Sequence, residues 1–219
     1  VIAERRDDPQ PVPGRSGLVH DQDGAVEEID RQLIIHLPYE QGRTVAPLKD
    51  IRAWLKGYGR LTLSTIAGRY MMAWIADQIA LDPIVEGFAD LKGGVIFRCD
   101  PWLYHADAQA KTLTAAQTIY NPGTAAAAPV ITVNATGDID LMIGTQTVLL
   151  TELEGQIIIN SMVQEAYGFD ENHRLVNLNN HMGGDFPMLP PGGSGISWTV
   201  GEGSSLTNIV IEPYWRDEN

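Results

Sequence analysis

The sequence has almost no cysteine: one, Cys99, in 219 residues. A single thiol excludes an intramolecular disulfide framework and a cysteine-rich zinc site. No apolar run reaches the roughly 18 residues that a spanning helix needs, and no basic segment followed by an apolar one reads as a secretory leader. The chain does not begin with Met, and residues are expected to precede Val1. Cations are scarce, above all in the second half. Residues 1–118 hold 13 Lys and Arg against 16 Asp and Glu, whereas residues 119–219 hold 2 against 12. With a formal net charge of -13 and a pI of about 4.6, general affinity for nucleic acid or an anionic membrane is not expected. What is present is an ordinary globular mix, 44% hydrophobic and 20% charged. A chain of this size buries roughly 70–75% of its unfolded surface, enough to fold without a disulfide or metal staple.

The charge asymmetry, with the rise in Gly, Asn and Thr, points to two domains joined near Thr118–Thr124. The opening to Gly17 contains Pro9, Pro11 and Pro13 and reads as an extended arm. Ile29 to Leu37 is rich in β-formers. The best helix covers Pro47 to Lys56: Pro47 suits a first turn, Leu48, Ile51 and Leu55 share a face, and Gly57 provides the stop. Arg60 to Leu63 is a short strand. In Tyr70 to Ile79 the alternation of Tyr70, Met72 and Trp74 favours strand over helix. Gly94 to Cys99 is a clearer strand, ended by Asp100-Pro101. From Thr118 onward short β runs (129–133, 139–143, 147–150, 156–159, 196–200 and 209–211) alternate with glycine and proline turns. That punctuation predicts a β-sandwich or jelly roll.

Catalytic patterns are weak. Gly193-Ser194-Gly195 fails the nucleophile-elbow spacing and reads as a glycine turn. Gly57-Tyr58-Gly59 lacks the third glycine of a dinucleotide loop, and Asp21-Gln22-Asp23-Gly24 is a fragment of a calcium loop with its glycine too early. His173, His181 and Asp185 match no metal-ligand spacing, so polar loop residues are the better account. Glu152 and Glu154 would share one strand face, where they cannot flank a sugar from opposite sides. A solvent-facing edge strand suits them, since like charges deter edge-to-edge pairing. No cofactor, no metal and no enzymatic activity are therefore expected. Trp198, Tyr214 and Trp215 are candidates for stacking on sugar rings, with core or interface packing as the commoner use of large aromatics.

Several segments, taken in order, resemble the distal tail (Dit) proteins of long-tailed bacteriophages and related particles, including gene transfer agents. The strongest is Asn180-His181-Met182-Gly183-Gly184-Asp185-Phe186-Pro187-Met188-Leu189-Pro190-Pro191-Gly192 followed by Ile196-Ser197-Trp198, which looks like that family's G-D-F-P-x-L-x-P-G motif and its strand. Asn121-Pro122-Gly123-Thr124 and Pro129 to Val133 match the entry to its C-terminal domain, and Ile209 to Arg216 resembles its closing strand. In the first half, Trp54-Leu55 and Val95 to Tyr104 are similar to the helix end and the strand that closes the first domain. The departure is at the start, where family members carry further strands before the segment that is here Pro13-Gly14-Arg15.

The resemblance implies a mainly β protein: residues 1–118 as a ring-forming β domain with a helix near 47–56, and residues 119–219 as a galectin-like β-sandwich. It implies a homohexameric ring at the virion tail tip, a baseplate component that joins the tail tube protein to the tail-tip hub and lets DNA pass. In that reading Gly184, Asp185, Phe186, Pro187, Pro191 and Gly192 are structural, with Phe186 anchored in the core and Asp185 bonding local backbone donors. Arg43, Tyr58, Trp102 and Tyr104 are candidate interface anchors, with burial in their own domain as the alternative. The rival reading is a carbohydrate-binding module that contacts a host glycan.

Overall fold

The structure, a computed structural model, describes residues 8–11, 18–21, 26–34, 36–40, 43–44, 50, 53, 55–75, 81–85, 88–91 and 95–219. Contacts divide the chain into two compact units, Val1–Leu103 with Glu218–Asn219, and Tyr104–Asp217. The composition shift near Thr118–Thr124 thus lies inside the second unit, downstream of the point where the chain enters it.

In the first unit, β1 (Asp8–Pro11) and β2 (Leu18–Asp21) form a two-stranded ribbon, so the described part of the expected arm is paired strand. The central sheet uses β3 (Ile29–Leu33). A second sheet contains β4 (His36–Glu40) and β5 (Arg43–Thr44). The helix expected over 47–56 falls mostly outside the described residues, of which Asp50 and Ala53 are helical. Returning to the central sheet are β6 (Tyr58–Leu61) and β7 (Arg69–Ile75). β8 (Leu81–Val85) and β9 (Phe88–Leu91) complete the second sheet in the order β5-β4-β9-β8. β10 (Val95–Cys99) lies between β3 and β7, and β6 pairs with β7, all antiparallel.

Alternation along these strands decides their faces. Met71 and Ala73 on β7, with Val95, Phe97 and Cys99 on β10, turn inward and form a core with Leu55 and Leu61. The strand expected from Tyr70, Met72 and Trp74 is present, and these three take the opposite face. β11 (Trp102–His105) follows the Asp100-Pro101 break as expected.

The second unit is organised by one long hairpin. β12 (Lys111–Leu113) and β13 (Gln117–Asn121) precede β14 (Val130–Ile143) and β15 (Gln146–Asn160), which pair along almost their whole length. β16 (Glu165–Phe169), β17 (Leu175–Asn177), β18 (Met182–Gly183), β19 (Gly192–Val200), β20 (Ser205–Glu212) and β21 (Arg216–Glu218) follow, and the chain leaves the unit within β21. The first half of β14 pairs with β20 and its second half with β19. β15 does the same on its other edge, taking β18 near its start and β16 near its end. One layer is therefore β12-β20-β14-β15-β16-β17 and the other β13-β19-β14-β15-β18, the two layers of a β-sandwich.

The crossover sits at Gly137-Asp138. There Asp138 opposes two residues of β15, Thr151 and Glu152, a bulge that shifts the side-chain phase. Buried positions accordingly run Val148, Leu150, then Leu153, Ile157, Ile159. Glu152 takes a φ of +53° and donates its N–H to Asp138 Oδ1 at 2.9 Å, while the Asp138 N–H donates to Ser204 Oγ at 2.8 Å. Gly137 has a φ of +85°, and a Cβ there would collide with the Ser204 side chain. Ile131, Val133, Ile139, Leu141, Ile143, Ile209 and Ile211, each at most 1% exposed, meet between the layers in one core.

Candidate functional site

Three of the motif segments meet in the second unit. Asn121 is buried at the end of β13. Its Nδ2 donates to Leu189 O at 2.8 Å and Ala125 O at 3.0 Å, and its Oδ1 accepts from the Gly123 N–H at 2.8 Å. Ala127 and Leu189 exchange backbone hydrogen bonds at 2.9 Å. From the closing segment, Arg216 Nε donates to Ala126 O at 2.7 Å, and Asp217 Oδ1 accepts from the Thr124 N–H at 2.9 Å. Ala125, Ala127 and Ala128 are buried in this junction, where small side chains let the backbones approach.

Within the motif, Gly184 has a φ of +94°, and a Cβ there would sit 2.6 Å from Thr147 O. Pro187 is buried and Phe186 packs, partly buried, against the core. Pro191 is exposed, and Gly192 (φ +93°) opens β19. Asp185 differs from its expected role: it is exposed and bonds no described residue. The motif is a packed turn.

The structure places the other candidate residues as follows. Trp215 is 6% exposed and belongs to the core. Trp198 opposes Leu141 across β14 and β19 and packs against the same core. Tyr214 is half-buried with φ +49°, its hydroxyl 3.3 Å from Glu212 Oε2. Ser194, read as part of a turn, lies inside β19 opposite Ile119 and is buried. Tyr104, a candidate interface anchor, is 2% exposed, which favours the alternative of burial in its own domain. His173 stands in a turn with φ +57°, and no cluster of three metal-ligating side chains occurs among the described residues.

The face of the first unit's central sheet opposite its core gathers aromatic and cationic groups around the buried Tyr70 ring. Tyr58 on β6 stands opposite Trp74 on β7, ring centroids 6.1 Å apart. Arg60 lies over the Tyr70 ring, its Cζ 4.5 Å from the centroid. Arg98 on β10 opposes Trp74 on the other side and holds Asp30 Oδ1 at 3.2 Å. Tyr58 is 59% exposed and its hydroxyl donates to Asp100 Oδ2 at 3.5 Å. Partial burial and then the Asp100 charge raise its pKa above the ordinary phenol value. Trp102 is half-buried, and Arg43 lies on β5, its side chain outside the described residues. Sequence reading singled out Tyr58. It missed Arg60, Trp74 and Arg98, although the period-2 pattern of β7 was the signal that puts Trp74 on this face.

Glu152 and Glu154 are exposed and lie on a locally unpaired edge, as expected, although the strand is paired further along on both sides. β15 is interior to its layers, but between its contacts with β18 and β16 it leaves a gap. Here a cleft of about 790 Å³ opens, lined by both carboxylates, Gln156, Phe169, Val176, Leu178 and His181 among others.

No protein-family profile matches the chain. No curated protein matches it either. Its fold is similar to that of the SPP1 Dit (gp 19.1) protein, a paradigm of the hub adsorption apparatus in Gram-positive-infecting phages. The similarity has a TM-score of 0.65 at 13% identity and covers 96% of this chain and 88% of that one. The fold is thus the one the motif segments led us to expect.

Proposed function

We propose that this protein is a structural subunit of a phage-type tail tip: a distal tail hub that assembles as a hexameric ring, joins the tail tube protein to the tail-tip hub and leaves a lumen for DNA. The observation that carries the reading is the fold similarity to a Dit protein over nearly the full length of both chains. A ring needs one heterologous interface repeated about an axis, and no cofactor. The Tyr58, Arg60, Trp74 and Arg98 face has the composition of an interface centre, where aromatics and Arg supply most of the binding energy. Its cations also stand out in a chain of net charge -13, whose copies otherwise repel one another. In this reading the β-sandwich of the second unit is a galectin-like module on the outside of the ring.

Native mass spectrometry of the purified chain, with end-on electron micrographs of particles that contain it, tests the reading. The expected result is a six-subunit species and six-fold averages at the tail tip. A strictly monomeric chain that never co-purifies with tails would overturn it.

A further inference from the structure

The cleft on β15 has the chemistry of a ligand site. Its walls are of two kinds. On one side Phe169 and Val176, 53% and 39% exposed, present an apolar surface with Leu178. Phe169 is held edge-on to Tyr167, ring centroids 6.0 Å apart. Gly168 makes room for Leu178: a Cβ there would meet Leu178 Cδ1 at 2.9 Å and Gln156 O at 3.0 Å. On the other side stand Glu152 and Glu154, whose carboxylates bond no described residue. The bulge turns Glu152 out beside Glu154 instead of letting strand alternation proceed.

The remaining polar groups are already oriented. Gln156 Nε2 donates to Asn134 Oδ1 at 3.0 Å, and Asn134 Nδ2 donates onward to Asn208 Oδ1 at 2.7 Å, so an amide relay across three strands fixes the Gln156 side chain. His181 Nδ1 lies 2.9 Å from Thr151 O. A carbonyl can only accept, so Nδ1 carries a proton and Nε2 is the nitrogen left to the cleft. The volume is that of a small-molecule site. An apolar wall facing acceptor groups suits a sugar ring, with C–H faces against Phe169 and hydroxyls toward the carboxylates. Among the described residues that line the cleft there is no Lys or Arg, and the two carboxylates give it negative character.

We propose that this cleft binds an amine-bearing saccharide, with Phe169 as the stacking wall and Glu152, Glu154 and Gln156 as the acceptors of its ammonium and hydroxyl groups. The proposal is independent of the ring: a cleft that fails to bind leaves the assembly reading intact, and a monomer would still bind.

The test is amide chemical-shift titration of the full chain with oligomers of glucosamine, N-acetylglucosamine and galacturonic acid, and with a lysine oligomer. The glucosamine oligomer is expected to saturate at millimolar concentration and to move resonances of residues 152–156, 168–169 and 176–181. The N-acetylated oligomer binds more weakly and the galacturonic one not at all. Phe169→Ala weakens both binders by about tenfold. The double variant Glu152→Gln, Glu154→Gln changes only exposed side chains and removes the preference for the amine. Tyr120→Ala, outside the cleft, changes nothing. The proposal is overturned if no saccharide moves these resonances at about 20 mM, a concentration above millimolar affinities. It is equally overturned if the shifts map elsewhere, or if the lysine oligomer binds as well as the glucosamine oligomer.

Discussion

The exposed sheet face of the first unit and the cleft of the second differ in shape and in how their charges are paired. The face is built by plain strand alternation, places Tyr58, Trp74, Arg60 and Arg98 side by side, and satisfies its cations on aromatic rings and on Asp30. The cleft opens in the gap on β15 between β18 and β16, where the Asp138 bulge turns Glu152 outward, and its two carboxylates bond no described residue. Regular strands make broad surfaces suited to another protein, whereas an irregularity opens a concavity suited to a small polar ligand.

The difference can be broken from either side. The largest effect is expected from Leu141→Ala, which empties a fully buried position in the core beneath the long hairpin. It should cost about 2–5 kcal/mol in chemical denaturation. Tyr58→Ala should come next. If the face is the ring contact, truncating this exposed anchor removes about 2 kcal/mol per interface, and native mass spectrometry should show smaller species. Glu154→Gln should leave the same spectrum unchanged, and a ring that dissociates on the cleft variant but survives Tyr58→Ala would reverse the assignment. Gln156→Ala is a finer probe. It cuts the amide relay at one end and should lower stability by about 1 kcal/mol, with a larger loss in saccharide affinity than in stability.

Cys99 sharpens the contrast between surface and interior in the first unit. Burial pushes its thiol up to about 11, so at pH 8 it is almost wholly protonated. A thiol reagent at pH 8 should label it only under denaturing conditions. Because the folded thiol holds its proton above the unfolded value, the linked stability is unchanged below about pH 9 and falls as pH rises through 9 to 11. Rapid labelling of the folded chain would show that this core opens.

Strand identity and facing were legible wherever a single period ran on. Val95, Phe97 and Cys99 point inward, Tyr58 and Trp74 outward, as alternation requires. The Gly184 to Gly192 motif could be recognised because positive φ at Gly184 and close contact with Thr147 demand a side-chain-free residue. For the candidate stacking residues, Trp215 takes the packing alternative, in the core, while Trp198 and Tyr214 are partly buried; which way a large aromatic faces depends on which strand lies across from it.

By itself the sequence determined the mainly β class, the lack of a disulfide framework, the acidic second half and the motif turns, since each follows from local chemistry or a fixed period. Only the tertiary structure decided that 130–143 and 146–160 are one bent hairpin shared by two layers. It also decided that Tyr104 and Trp215 are interior and that Glu152, Phe169 and His181 share a cleft. Those outcomes rest on pairings between residues far apart in the chain and on one bulge that reverses side-chain phase, and neither leaves a periodic trace in the sequence.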